Sequence, residues 1–551
     1  MRKPGPFDPA ATAPAGTASA RREFLKAGAA AAGATLLSSC VGGGGGDAPL
    51  PLLGAPQIDP LSRFDHLVVL MFENRSFDNL LGYLYPPGSV TYPAGSAFNG
   101  LAGGTYANPV PPYILDGHTS VAARQSPGAE IDMTHPDPDP GEPFPHVNTQ
   151  LYGLVDPASN EFESTEKMRA PYNAPTQGQP LTMQGFVHDY CNNFMRTQKR
   201  LPTYDEYRVI MDSFGPDALP VLSTLARSFA VYDAWFCAVP SQTYCNRSFF
   251  HASTSSGHVV NEPVLKWTKN DAPTIFNRLQ DAGRTWRVYC DGPHSLTSLI
   301  HWPVLSQFCA SNFRTMQDFY NDAQNGTLPD YAFVEPKFGA QGNDFHPPNN
   351  VLLGEQFLHD VYTAVRTSAS PTGSNALNTL LLVTFDEHGG CYDHVAPPPA
   401  TSPERFPVTG DMGFRFDRLG VRVPSIAVSA YTHQNTVVNR PVHHAAVIST
   451  LCHKFGLANL TERDLDAPDL RDAINLDAPR APSSWPQTVP RPPLPAAYNA
   501  AMPVNDLERD MAALALAVAR GSEPTAESLP KTVGEADAML KALATECRVA
   551  T

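Results

Sequence analysis

The chain has 551 residues, of which 42% are hydrophobic and 17% charged, with 55 prolines and a formal net charge of −15. This length excludes a mini-protein and fits about two to four domains or one large α/β domain with insertions; a proline share roughly twice the average predicts long irregular loops. The negative charge excludes non-specific binding to nucleic acid or to an anionic membrane, because the long-range field repels phosphates, although a local cationic pocket stays open.

Residues 1–46 stand apart. Arg21-Arg22-Glu23-Phe24-Leu25-Lys26 precedes a small-residue apolar stretch over 27–37 that is too short to span a bilayer. The pattern resembles a twin-arginine export signal, with Ala20 where Ser or Thr is usual. Leu37-Ser38-Ser39-Cys40 resembles a bacterial lipobox, which makes Cys40 the lipid attachment site and the first residue of the mature chain. The glycines of 42–46 read as a flexible tether. The expectation is an exported protein, periplasmic or anchored to the membrane as a lipoprotein. A disordered N-terminus with a chance arginine pair is the alternative, and it explains the order of these features less well. Setting Cys40 aside, the remaining cysteines are even in number, compatible with disulfides in an oxidising compartment, and none shows C-x-x-C spacing for structural zinc.

The apolar run over 67–72 predicts a strand buried on both faces of a parallel sheet, followed by a short helix with Phe77, Leu80, Leu81 and Leu84 at helical spacing. From about 86 to 180 periodicity fades into Gly, Pro, Asn and Asp, including HPDPDPGEPFPH at 135–146, which predicts a loop-rich insertion. Further strands are predicted over 286–289, 331–334, 380–385 and 425–429, and helices over 274–282 and 444–455. This alternation indicates a layered α/β fold with one large domain over about 60–470. A proline-rich segment and a peripheral helical tail, with helices over 506–520 and 533–544, occupy 471–551.

Two strands end anomalously. The run over 67–72 stops on Glu73-Asn74-Arg75, and LLLVTF over 380–385 runs into Asp386-Glu387. Ligands of open α/β sheets bind at the carboxyl edge, so Glu73, Asn74, Asp386 and Glu387 are expected to converge there. Grouped carboxylates repel one another unless a cation sits among them, and oxygen ligands suit one divalent ion, whether Mg²⁺, Ca²⁺, Mn²⁺ or Zn²⁺. The alternative is that each acid merely opens a helix and meets its dipole.

In VPSQTYCNRSFFH over 239–251, Thr243 is the candidate nucleophile and metal ligand, with Ser241 competing. Asn246 or Arg247 is a candidate for holding a phosphoryl oxygen. His146, His346 and His444 are acid–base candidates, and Asn74 and His394 join the substrate-binding set.

HLVVLMFENRSFDNLLG and TFDEHGGCYDHVAPP resemble the two signatures of the bacterial phosphoesterase family that holds phospholipases C and related acid phosphatases. VPSQTYCNR, LPDYAFVEP, NDFHPPNNVLLGE and KFGLANLTERD resemble its other blocks, so the resemblance spans roughly 64–464. It implies an alkaline phosphatase/sulfatase-like fold, layered α/β/α with a largely parallel sheet. In the acid-phosphatase branch it also implies a metal on Glu73, Asn74, Thr243, Asp386 and Glu387, and attack by Thr243 to give a phospho-enzyme. The implied substrate is a phosphate ester, either a phospholipid or a small phosphomonoester. Gln242 and Cys245 stand where prolines are usual around the nucleophile, and the late block, often Asp-His-Thr, reads His443-His444-Ala445. The alternative function is a surface-tethered, non-catalytic binding protein that keeps the fold.

Overall fold

The computed structural model describes residues 58–126, 133–176, 178–339, 341–406, 408–493 and 499–543; the export signal, Cys40 and the glycine tether lie outside them. The run that opens the domain forms strand β1 (His66–Phe72). With no polar residue between Leu67 and Phe72 it has no face to offer water, and all six are buried. The other strands of its sheet are β2 (Ala230–Tyr232), β3 (Trp286–Cys290), β4 (Phe313–Thr315), β5 (Tyr331–Glu335), β6 (Thr379–Phe385), β7 (Ile426–Val428) and β8 (Thr436–Val438). Their order is β8-β2-β7-β6-β1-β5-β3-β4.

From β6 through β1, β5 and β3 to β4 the sheet is parallel. Strand β7, predicted within a parallel-rich sheet, runs antiparallel to both β6 and β2. Register matters most between β1 and β6, where Phe72 stands opposite Phe385. Both strands therefore end at one level, and Glu73 and Asp386 leave the same edge side by side.

The helices that concern the site are α1 (Phe77–Leu81), α2 (Phe144–Tyr152), α3 (Phe186–Gln198), α4 (Pro220–Ser228), α5 (Thr243–Ala252), α6 (Val351–Thr367), α7 (Ala446–Phe455) and α8 (Asp506–Arg520). Helix α2 lies inside the segment predicted as loop. With α3 it builds a separate apolar cluster from Val147, Leu151, Phe186, Val187 and Tyr190.

The tail departs from its predicted peripheral place. Helix α8 buries Leu507, Met511, Leu514 and its alanines among Tyr244, Phe249, Trp267 and Leu299. Its apolar stripe has the helical period, but which surface it covers is set by tertiary structure alone. The expected disulfides are met in part: Cys309 is disulfide-bonded, whereas Cys191, Cys237, Cys245, Cys290, Cys391 and Cys452 are buried free thiols. Among the described residues no helix is long and apolar enough to cross a membrane.

Helix α4 starts at Pro220 without a side-chain cap of its own, and Glu355 of α6 supplies one by accepting from Val221 N at 2.7 Å and Leu222 N at 2.8 Å. Burial pushes the Glu355 carboxyl up to about 7 from an ordinary 4.5. The folded chain thus keeps a proton that the unfolded chain has released, and this contribution to stability is lost as pH rises from 4.5 towards 7. Urea midpoints of Glu355→Gln relative to wild type are expected to rise across that window, and Glu355→Ala is expected to cost about 1–3 kcal/mol by stranding two buried N–H groups.

Candidate active site

The carboxyl edge of β1 is laced to its neighbours before any side chain is counted. Glu73 N donates to Asp344 O at 2.9 Å, Arg75 N to Glu387 O at 3.1 Å, and Asp386 N to Phe72 O at 3.1 Å. Asn74 turns the chain through a left-handed φ of 54°, which Asn tolerates better than most residues, and its N–H donates to Asp386 Oδ1 at 3.2 Å. Gly389, itself at φ +60°, lies against this turn; a Cβ there would stand 2.1 Å from Asn74 O. Arg75 completes the lacing by donating to the carbonyls of Phe345 at 2.8 Å and His135 at 2.6 Å.

The structure brings Glu73, Asn74, Thr243, Asp386 and Glu387 to this edge, all buried. Thr243 is the first residue of α5, and its hydroxyl donates to Glu73 Oε2 at 3.3 Å. It is not a cap, because Gln242 holds that position and makes no capping bond.

Arg247, one turn further along α5, donates through Nε to Glu73 Oε1 at 2.8 Å and to Asp386 Oδ2 at 3.2 Å, and through Nη2 to Glu73. Its Nη1 stands 3.9 Å from Glu335 Oε1. Arg247 thus sits as a counter-ion buried among acids, with Nη1 left without a hydrogen-bond partner among the described residues.

One guanidinium does not balance this edge. Burial pushes Glu73 well above the ordinary carboxylate range, and burial with the neighbouring Asp386 does the same to Glu387. Burial also raises Asp344 to about 7. The donor set fits a divalent cation. Asn74 Oδ1, Glu387 Oε1 and Asp344 Oδ2 are buried without a hydrogen-bond partner among the described residues, and hard oxygen donors beside Thr243 are what such an ion takes.

The remaining predicted residues divide. Asn246 holds the turn before α5, accepting from Val239 N at 3.0 Å and donating to Ser241 O at 2.6 Å, so its amide is committed to the loop rather than to substrate. His444 receives Trp235 Nε1–H on Nδ1 at 3.1 Å and gives Nε2–H to Asp386 O at 2.5 Å. Both ring nitrogens are thus engaged, which makes His444 a strut under Asp386, and burial lowers its pKa to about 4.

His394 is placed with Asp78, at 2.6 Å, and Asn99, at 3.0 Å, in an ion-pair cluster centred on Arg422 rather than with the Glu73 set. His346 gives Nδ1–H to Pro347 O at 2.6 Å, and burial lowers its pKa to about 4.

His146 keeps an acid–base geometry. Its Nδ1 stands 2.8 Å from Asp189 Oδ1, and it lines a cavity of about 60 Å³ together with Glu142, Gln242 and three residues of α8, Asp506, Arg509 and Asp510.

Sequence reasoning missed Asp189, Gln150, His388 and Glu142. The first three form a chain: His388 Nε2 to Gln150 Oε1 at 2.7 Å, then Gln150 Nε2 to Asp189 Oδ2 at 2.8 Å, and so to His146. The other nitrogen of His388 stands 3.2 Å from Glu387 Oε2. Glu142 accepts from Asn74 Nδ2. Its only sequence signal was the density of acids in the proline-rich run.

A family model of the phosphoesterase family matches residues 64–458, and the chain belongs to that family. It is a hydrolase of phosphoric esters. Non-specific phospholipase C3 of Arabidopsis thaliana is 30% identical over 455 residues, covering 78% of this chain and 76% of its own. Non-specific phospholipase C6 of the same plant is 31% identical, covering 77% and 75%. Among solved structures, a protein of the alkaline phosphatase superfamily from Vibrio parahaemolyticus aligns at TM-score 0.29 and 14% identity over 47% of this chain and 66% of its own; the α/β architecture stands on the strand order above.

Gly389→Ala is expected to remove phosphate-ester hydrolysis and to lower stability by at least about 2 kcal/mol, since the methyl meets a carbonyl and φ is left-handed. Thermal unfolding and initial rates measured on one preparation check both.

Proposed function

We propose that the chain hydrolyses phospholipid-type phosphodiesters, in the manner of a phospholipase C, through a covalent phosphothreonine on Thr243 and with a divalent cation at the strand edge. The observation that carries this reading is the Thr243 hydroxyl at the first turn of α5, bonded to a buried Glu73 and surrounded by buried oxygens without partners. Asn74, Glu387, Asp386, Glu73 and Thr243 would hold the cation, which when bound stabilises negative charge on phosphoryl oxygen and lowers the pKa of a bound hydroxyl.

Glu73, whose Oε2 already accepts the Thr243 hydroxyl at 3.3 Å, takes the proton of Thr243 as Oγ1 forms its bond to phosphorus. The N-terminus of α5 points its positive end at the incoming anion. As the bond from phosphorus to the leaving oxygen breaks, His146 Nε2 gives that oxygen a proton, with Asp189 fixing the ring through Nδ1. In the second half a water attacks the phosphothreonine, His146 takes its proton back, and Thr243 regains a proton from Glu73. Relatives named as phospholipases C support the diester reading over the monoester one. No observation favours the non-catalytic alternative.

Export and a lipid anchor on Cys40 belong to the same reading. They are supported by the Arg21-Arg22 pair, the apolar run and the glycine tether, and would bring the enzyme to its lipid. Cys40→Ser is expected to release the protein from the membrane fraction, as checked by fractionation.

Acid quenching during turnover, followed by peptide mass spectrometry, is expected to find phosphate on Thr243. Thr243→Ala is expected to lower kcat by at least about 10³-fold, as removal of a nucleophile does. A chelator should abolish wild-type turnover, and excess Mn²⁺ should restore it. Full activity in Thr243→Ala or under chelation would overturn the reading. His146→Ala is expected to lose about 10²–10⁴-fold on a phospholipid, whose alkoxide needs a proton, and much less on p-nitrophenylphosphorylcholine, whose phenolate does not.

A further inference from the structure

Beside the Glu73 set lies a second group of ligating atoms that the mechanism above does not use. Asp139, Glu142 and His346 each offer one donor atom, and the three atoms lie within 4.8 Å of one another. From these we infer a second divalent-cation site, formed by Asp139, Glu142 and His346 between the proline-rich insertion and the sheet edge.

Lone-pair arithmetic carries the argument. The Nδ1–H of His346 is spent on Pro347 O at 2.6 Å, so in the neutral ring Nε2 is a bare lone pair. That atom is buried, has no hydrogen-bond partner, and looks at Glu142 Oε1 across 3.6 Å. Two acceptors facing each other at this distance repel, and 3.6 Å is too long for a shared proton. It suits two ligands on one ion, because bonds of about 2.1 Å to each would subtend about 118° at the metal.

Asp139 Oδ1 is also without a partner, and Asp139 Oδ2 lies on the Nδ1 side of the His346 ring, 3.8 Å from that nitrogen. No guanidinium hydrogen bond to Asp139, Glu142 or His346 is seen among the described residues; Arg75 acts on Asp139 by charge while its Nε and Nη1 donate to Phe345 O, His135 O and Asn79. Burial and the neighbouring Glu387 push the Glu142 carboxyl up, as expected of a carboxylate lacking its counter-ion.

The group is accessible. Asp139 and Glu142 line the cavity that also holds His146, so an ion could enter and keep water on its open positions. One imidazole with two carboxylates is a borderline donor set, suited to Mn²⁺ or Zn²⁺ better than to Ca²⁺. Asn74 divides the two sites: Nδ2 is bound by Glu142, while Oδ1 is left for the first cation. Apart from this shared wall the two sites have no ligand in common, so this inference stands or falls separately from the proposed mechanism.

The test uses the full chain, stripped with chelator, reloaded with Mn²⁺, dialysed, and analysed for manganese per chain by elemental mass spectrometry and electron paramagnetic resonance. Wild type is expected to hold about two ions per chain, Glu142→Gln and His346→Gln about one each, and Glu387→Gln about one from the other site. About one ion in wild type, unchanged in Glu142→Gln and His346→Gln but lost in Glu387→Gln, would overturn the second site and leave the proposed mechanism intact. No bound ion in wild type would overturn both. The wild-type count needs no variant to fold, and melting curves identify any variant that does not.

Discussion

Everything at this site follows from burying carboxylates at the ends of neighbouring parallel strands. The β1–β6 register puts Phe72 opposite Phe385, so Glu73 and Asp386 are adjacent by construction and water is excluded by the same packing that forms the sheet. Charge buried in this way must be compensated or protonated. Arg247 meets part of the need, and the oxygens it leaves bare are those the proposed cation would take. An enzyme that acts on phosphate gains from this arrangement, since an electropositive centre held by preorganised oxygens need not rearrange when charge develops on substrate.

Precision comes from backbone bonds more than from side-chain ones. Glu73, Arg75 and Asp386 are each fixed by an N–H to a carbonyl on another segment, and His444 props the carbonyl of Asp386 from below. Thr243 is then delivered by a helix start, where a hydroxyl and the positive end of the helix point the same way. The chain from Glu387 through His388, Gln150 and Asp189 to His146 ties the strand edge to α2, which anchors the insertion to the chemistry rather than leaving it as a loose loop.

The strands and the Glu73, Asn74, Asp386, Glu387 constellation were legible because a wholly apolar run that ends on acids is a pattern local to a few residues. The roles of Arg247, Asn246 and His444 were not, since each depends on which neighbour its polar atoms find: Arg247 finds acids, Asn246 finds its own loop, and His444 finds Trp235. Helix α8 was correctly bounded and wrongly judged peripheral, because an amphipathic stripe records that something is buried and not against what. The antiparallel turn of β7 was equally invisible, as three apolar residues read alike in either direction.

Two clusters of acids with a histidine flank the β1 turn, and they differ in one respect. Asp78, Asp393 and His394 already enclose a cation: Arg422 donates from Nη2 to Asp78 Oδ1 and from Nε to Asp393 Oδ1, both at 2.9 Å, and stacks over Phe77. His394 closes the remaining Asp78 oxygen, so each charge has a partner and the cluster is a clamp between α1 and the loop after β6. Asp139, Glu142 and His346 have the same donor types with no guanidinium hydrogen bond among them, and Asp139 Oδ1 and His346 Nε2 are left without a partner. Acid and histidine density therefore does not mark a metal site by itself, because in the Arg422 cluster the fold has already placed a positive charge among the oxygens.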